Sequence, residues 1–343
     1  MPPRSALFVV TLLLSIGAIA AGQSVPDPPR GDLRFAVFGD FNGSYGALDY
    51  PPPVEKAMRA IARSWRPDLL LSAGDVVAGQ NKSLPESRYA DMWRVFDREI
   101  AAPLRAAGIP YAFAMGNHDA SSLRGPAGEF VFQRDRRAAL DYWTQPLYES
   151  NLLYVERERF PFDYAFRAGP AFVVILDASS ATVSVDQRQW LRRVLALPTA
   201  RVAGLRVVVG HLPLVPVSVG RDRPGEVLEH PEVLLRILEE GGVDLYVSGH
   251  HAAYYPGRLG EVELLFSGGV GARRLLAGDE PARSTVTLVD VWWEPLRITY
   301  STFDLATMLP IRPSSLPPVI VTDEGAVRLS ERAHPATVET AQR

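Results

Sequence analysis

The run Phe113-Ala114-Met115-Gly116-Asn117-His118-Asp119 decides how this chain is read. A short apolar stretch stops at a glycine and then delivers an amide, an imidazole and a carboxylate in three consecutive positions. The apolar stretch reads as a buried strand and the glycine as its turn. The same design recurs four times. Phe35 to Phe38 leads into Gly39-Asp40-Phe41-Asn42, Leu69 to Leu71 into Gly74-Asp75, Val207 to Val209 into Gly210-His211, and Leu245 to Val247 into Gly249-His250-His251. In an open α/β sheet the carboxyl ends of the strands share one edge, so residues distant in sequence meet there on a ligand. Five such ends deliver Asp, Asp, Asn, His and His, a donor set suited to hard and borderline divalent metals.

Taken singly, each residue has a blander reading. An Asp after a strand is commonly a turn former or helix N-cap, and a buried His is commonly a satisfied structural group. The ordered recurrence of all five is what carries the metal reading. Gly43-Ser44-Tyr45-Gly46 lacks the lysine and the following helix of a nucleotide-binding P-loop and reads as a turn in the pocket wall. Asp177-Ala178-Ser179-Ser180 has no Gly-x-Ser-x-Gly elbow around it. His230, before Pro231, and His334 read as structural. Tyr254 and Arg273 are candidate substrate contacts, since arginine grips phosphate with two donors at once.

The ordered blocks resemble the calcineurin-like metallophosphoesterases, from about residue 33 to about residue 300. The resemblance implies a four-layer α/β/β/α sandwich of two mixed sheets flanked by helices. It also implies two divalent ions (Mn, Fe, Zn or similar) bridged by Asp75. One ion would be held by Asp75, Asn117, His211 and His250. The other would be held by Asp40 and Asp75, with the Asn42 amide oxygen as a further donor. Asn42 stands where histidine is common, and Ala252 stands where the second histidine of Gly-His-x-His is expected. His251 could substitute only through a kink, because in an extended segment His250 shares its face with residue 252. By the same resemblance His118 contacts the phosphoryl group or protonates the leaving group, and Asp119 orients its imidazole. The implied activity is hydrolysis of a small phosphomonoester or phosphodiester by metal-bound hydroxide. The alternative is a one-metal or degenerate-site member that binds metal or phosphate with little hydrolysis.

The chain has 343 residues, 47% hydrophobic and 22% charged, an ordinary globular composition. A formal net charge of -3 gives no global pull on nucleic acid or anionic membranes, and the absence of cysteine excludes disulfides and thiolate ligands. Residues 1–20 read as a signal peptide: Arg4 supplies a basic start, Leu7 to Ile19 an apolar core and Ala18-Ile19-Ala20 a cleavage site. An uncleaved anchor is the rival reading. Cleavage would leave no stable membrane anchor and place the protein in a periplasmic or extracellular space. The metallophosphoesterase domain is expected over 31–305. Residues 306–343, rich in proline and charge, read as a poorly packed tail. Within the domain, helices are expected at Val54 to Trp65, Tyr89 to Ala107 with an interruption near Pro103, Asp186 to Leu195 capped by Ser184 or Asp186, and Glu229 to Glu239. Beyond Gly249 three apolar segments without helices between them mark a change to antiparallel strands.

Overall fold

The structure, a computed structural model, describes residues 25–148 and 150–333. The segment expected to be a leader, with its expected cleavage site, and His334 lie outside the described residues.

Two mixed sheets face each other. In the first, the strands lie in the order Leu309–Pro310, Leu296–Asp304, Thr285–Trp293, Leu33–Val37, Leu69–Ser72, Tyr111–Phe113. In the second the order is Val319–Thr322, Gly325–Leu329, Tyr254–Leu259, Val262–Ser267, Leu245–Ser248, Leu205–Val209, Ala171–Ile175, Asp163–Ala168, Leu153–Arg159. In the first sheet the three strands ending at Tyr111–Phe113 are parallel and occupy one edge, with antiparallel strands on the other side; in the second, four parallel strands lie in the middle with antiparallel strands on both sides.

Alternation along the strands explains the layering. In the first strand Phe35 and Val37 face the second sheet, together with Leu69, Leu71, Ala112 and Ala114, and pack on Val173, Val207 and Val247. Ala36 and Phe38 point the other way and, with Leu70, Tyr111 and Phe113, meet Val54, Ile61, Trp93 and Phe96 of the helices on that side. Trp190, Leu191, Leu234 and Ile237 cover the far side of the second sheet. The result is the expected four-layer sandwich.

The first helix starts at Pro52 and runs to Arg59, where proline's missing N–H costs nothing. It continues as a wider π turn, Ala60–Trp65, and stops at Arg66 in the left-handed conformation. The second, Glu86–Phe96, likewise widens over Asp97–Ala101 before resuming as Ala102–Ala107. Pro103 offers no N–H, and the ladder adjusts ahead of it. Ser184 caps Val185–Leu195 in a reciprocal box with Gln187. The helix Gln133–Trp143 and the edge strand Leu153–Arg159 were not anticipated from the sequence.

The tail expectation is corrected by the structure. Val319–Thr322 and Gly325–Leu329 form a hairpin whose second strand extends the nine-stranded sheet, pairing Arg328 with Arg258 and Leu329 with Gly257. Ile320 and Val327, opposite one another, are fully buried. Tyr255 Oη donates to Pro317 O at 3.0 Å. Each strand carries too few inward apolar residues for a period of two to stand out among prolines, yet the pair covers an otherwise open sheet edge.

Candidate metal centre

The five motifs sit where strands of both sheets end, and their backbones turn abruptly. Asp40, Asp75, His250 and Ala252 all have positive φ, at 49°, 55°, 64° and 46°. Such conformations are rare for residues with a Cβ and cluster where side chains must be aimed. The loops also touch backbone to backbone. A Cβ on Gly74 would collide with the main chain of Gly116, and one on Gly116 with Asp75. The glycines of Gly-Asp and Gly-Asn-His-Asp are therefore required by one another.

Four donor atoms face a common point. Asn117 Oδ1 lies 2.8 Å from His211 Nε2 and 2.8 Å from His250 Nδ1, and His211 Nε2 lies 3.4 Å from Asp75 Oδ2. Asp75, His211 and His250 each offer an atom within 4.8 Å of the others. Two ligands about 2.1 Å from one ion stand about 3.0 to 3.4 Å apart, so the Asp75–His211 separation suits a shared cation and the two Asn117 contacts would need to open by only about 0.2 Å.

The hydrogen bonds on the far side of each group say which atoms carry lone pairs. His211 Nδ1 is 2.6 Å from Ala73 O, which can only accept, so the neutral ring keeps its proton there and Nε2 is the nitrogen free to take a cation. Asn117 Nδ2 donates to Gln80 Oε1 at 2.7 Å, which turns the amide oxygen toward the histidines. His250 Nε2 is 2.8 Å from Glu226 Oε2, and a proton held on that side leaves Nδ1 bare. With both rings neutral, three lone pairs and a carboxylate thus converge on one point. The residues present fit a divalent cation.

Without a cation, protons respond to the same field. Burial disfavours the His211 imidazolium, but the charge and hydrogen bond of Asp75 outweigh it and raise the group to about 9. Burial acts against the Asp75 carboxylate, yet His211 and His118 hold it well below the usual carboxylate range. Burial, with the charge of Asp75, pushes Asp40 up to about 7 against the pull of His211. Burial takes His250 down to about 4 although Glu226 opposes the shift.

Other residues singled out from sequence are placed differently. Asp40 is buried at the edge of the set, with Oδ1 accepting the His250 N–H at 2.6 Å and Oδ2 lying 3.4 Å from Ser267 Oγ. The Asn42 amide is turned to Gly43 O at 3.4 Å, and Ala252 O accepts the Arg273 N–H at 2.8 Å. His118 stands beside the set: its N–H donates to Asp75 Oδ1 at 2.9 Å, its Nε2 is 4.0 Å from Asp75 Oδ2, and the exposed Tyr45 ring lies 5.1 Å from its own.

Three expectations are corrected. Asp119 does not orient the His118 imidazole; its carboxylate accepts the N–H groups of Asp75, Val76, Val77 and Gly116, pinning two motif loops together. At the third position of a helical turn that starts at Gly116 it points back into the loops, and the His118 Nδ1 neighbour is Gly79 O at 3.4 Å. His251 is turned away from the donors even though the loop kinks. Its Nδ1 accepts from Val217 N and its Nε2 donates to Glu226 O at 3.0 Å. Tyr254 belongs to the buried core and bonds Thr302, so it offers no substrate contact, whereas Arg273 is exposed near Arg221 and Glu226.

Sequence reasoning missed Gln80, Arg221 and Glu226. Glu226 pairs with Arg221 and Arg223 as well as His250, and these interactions, led by His250, hold its carboxyl well below the usual range. The available signal was the loop at 210–230, which joins His211 to the next helix at a length usually reserved for functional segments.

Among solved structures, similar folds include a purple acid phosphatase from yellow lupin (Lupinus luteus) seeds, with a TM-score of 0.56, 15% identity, and coverage of 81% of this chain and 52% of that one. This chain spans about half the length of the lupin protein. A dimetal phosphatase from Danio rerio has a TM-score of 0.51 and 16% identity, covering 80% of this chain and 97% of that one. GAP50, the anchor in the inner membrane complex of Plasmodium, has a TM-score of 0.50 and 16% identity, with 82% and 87% covered. Among curated proteins, none matches the sequence. Residues 33–254 match the family described as Calcineurin-like phosphoesterase, a span that contains every donor atom of the centre. With motifs, sandwich and donor set in agreement, the chain belongs to the calcineurin-like phosphoesterase family.

Proposed function

We propose that the protein is a metal-dependent phosphoester hydrolase acting on a small phosphomonoester or phosphodiester. The observation that carries this is the convergence of Asp75 Oδ2, Asn117 Oδ1, His211 Nε2 and His250 Nδ1 with their protons committed elsewhere. A divalent ion held there would supply Lewis acidity to a phosphoryl oxygen and lower the pKa of a water. The protein's own share is positional. Asp75 and Asp119 join the Gly-Asp and Gly-Asn-His-Asp loops into one rigid edge, and Gln80 and Ala73 fix the faces presented by Asn117 and His211. His118, partly exposed beside Asp75, is the group placed to donate a proton to a departing alkoxide.

A second reading has its own observation: Ala252 adds no imidazole next to Asp40, and both Asp40 oxygens have protein neighbours. A protein with one tightly held ion, binding metal or phosphate with little turnover, fits that half of the site. Calorimetric titration with Mn²⁺ or Zn²⁺, alongside hydrolysis of a nitrophenyl phosphate and its diester, separates the two. Turnover that requires the ion supports the hydrolase; tight binding without turnover leaves the binding protein, and no binding removes both.

Export belongs to the same proposal and rests on Arg4, Leu7 to Ile19 and Ala18-Ile19-Ala20. The native chain should begin at Ala21 or Gly22, and N-terminal sequencing that returns Met1 or Pro2 refutes it.

A further inference from the structure

Two neighbouring histidines reach the same residue by different atoms. His251 Nε2 donates to the main-chain oxygen of Glu226 at 3.0 Å, while His250 Nε2 lies 2.8 Å from its carboxylate Oε2. The main chain of the loop at 210–230 is fastened further by Val217 N–H on His251 Nδ1 at 3.3 Å and by Ser218 Oγ on His251 O at 3.1 Å. Arg221 and Arg223 engage the remaining capacity of the Glu226 carboxylate. His251, a poor ligand candidate by position, thus holds the backbone that carries the carboxylate facing its neighbour.

We propose that Glu226 is a positioning residue of the metal centre: by accepting the Nε2–H of His250 it fixes the tautomer in which Nδ1 presents a lone pair to the ion, and His251 anchors it there. The inference rests on the metal-centre reading. Its physical content lies in a competition at one nitrogen. Arg221 Nη1 is 3.2 Å from the same His250 Nε2. An arginine only donates, so if Arg221 were the partner Nε2 would be bare and Nδ1 would carry the proton. That proton would point at Asn117 Oδ1, 2.8 Å away, making a good hydrogen bond and closing the donor set to a cation. The two tautomers are both satisfied locally, one by Glu226 and the other by Arg221 with Asn117. Only the first can bind metal. A carboxylate on the outer nitrogen of a ligating histidine decides such a competition and raises the basicity of the inner one.

The test uses the metal-free full chain and the variants Glu226→Ala and Glu226→Gln. Nitrogen-15 spectra of the His250 ring should show the Nε2–H tautomer in the natural protein and conversion toward Nδ1–H in Glu226→Ala. Glu226→Gln, whose amide oxygen can still accept, should keep the Nε2–H form. Zn²⁺ affinity by calorimetry should fall about 10- to 100-fold in Glu226→Ala, with Glu226→Gln closer to the natural protein. Should Glu226→Ala fail to fold, Glu226→Gln decides, because a glutamine that reaches Nε2 must hold both tautomer and affinity. An unchanged tautomer in folded Glu226→Ala, with or without weaker binding, overturns the proposal, as does unchanged affinity. A natural protein that binds no Zn²⁺ at all refutes the metal centre itself, a different result from one that binds and ignores Glu226.

Discussion

The two sides of Asp75 are built to different standards. On one side Asn117, His211 and His250 aim lone pairs at a single point, and each is braced from behind by Gln80, Ala73 or Glu226. On the other side Asp40 is buried, but its oxygens face the His250 N–H and Ser267, the Asn42 amide turns to its own loop, and residue 252 is an alanine. A bracing group fixes which atom carries the proton, and hence whether a polar side chain is a ligand or merely a hydrogen-bonded neighbour. The difference teaches that a donor's identity matters less than what holds its other end.

The largest expected effect breaks or confirms that asymmetry directly. His211→Ala and Asp75→Asn should each lose metal affinity by more than the about 10- to 100-fold that outer groups cost, whereas Asp40→Asn should lose less. Equal losses across the three variants, measured by calorimetry with one ion, would show that the sides are equivalent. His118→Ala should come next. It leaves every donor in place, so bound metal should be retained while turnover falls by about 10² to 10⁴, with the deficit growing as the leaving group becomes more basic. A metal-free variant, or a deficit equal for nitrophenyl and alkyl esters, would place His118 among the structural groups. The smallest effect is expected from Ala252→His, which sharpens the comparison from its weak side. Histidine is among the residues that tolerate the positive φ found at 252, so the change should add affinity for a second ion without disturbing the first. Were the natural protein already to bind two ions tightly and the variant no better, the weak side would be complete by means other than residue 252.

Much of the site was legible because it is written at strand ends. An apolar run stopped by glycine identifies the position, and the next residue identifies the chemistry. That is why Asp40, Asp75, Asn117, His211 and His250 could all be named before any coordinates. The braces were not legible in the same way. Gln80 follows a glycine in an unremarkable loop, and Glu226 follows Gly225 at the end of a charged, proline-containing stretch with no local sign of a buried partner. Asp119 shows the converse error. Its place beside His118 suggested a dyad, but a helical turn directed its carboxylate to four amides of neighbouring loops.

By itself the sequence determined the layers and the donors. Strand alternation and helical spacing are local properties, and burial of the apolar face follows from them with few alternatives. Tertiary structure alone decided three other matters. Leu309–Pro310, Val319–Thr322 and Gly325–Leu329 are strands because the two sheets had open edges to complete, which no local period in that segment announces. His251 is a brace and His250 a ligand because positive φ at residue 250 turns two adjacent imidazoles to different neighbours. Glu226 reaches His250 because the loop after His211 folds back over the strand end that follows it. Contacts between distant loops depend on where the chain returns, and a one-dimensional pattern does not carry that information.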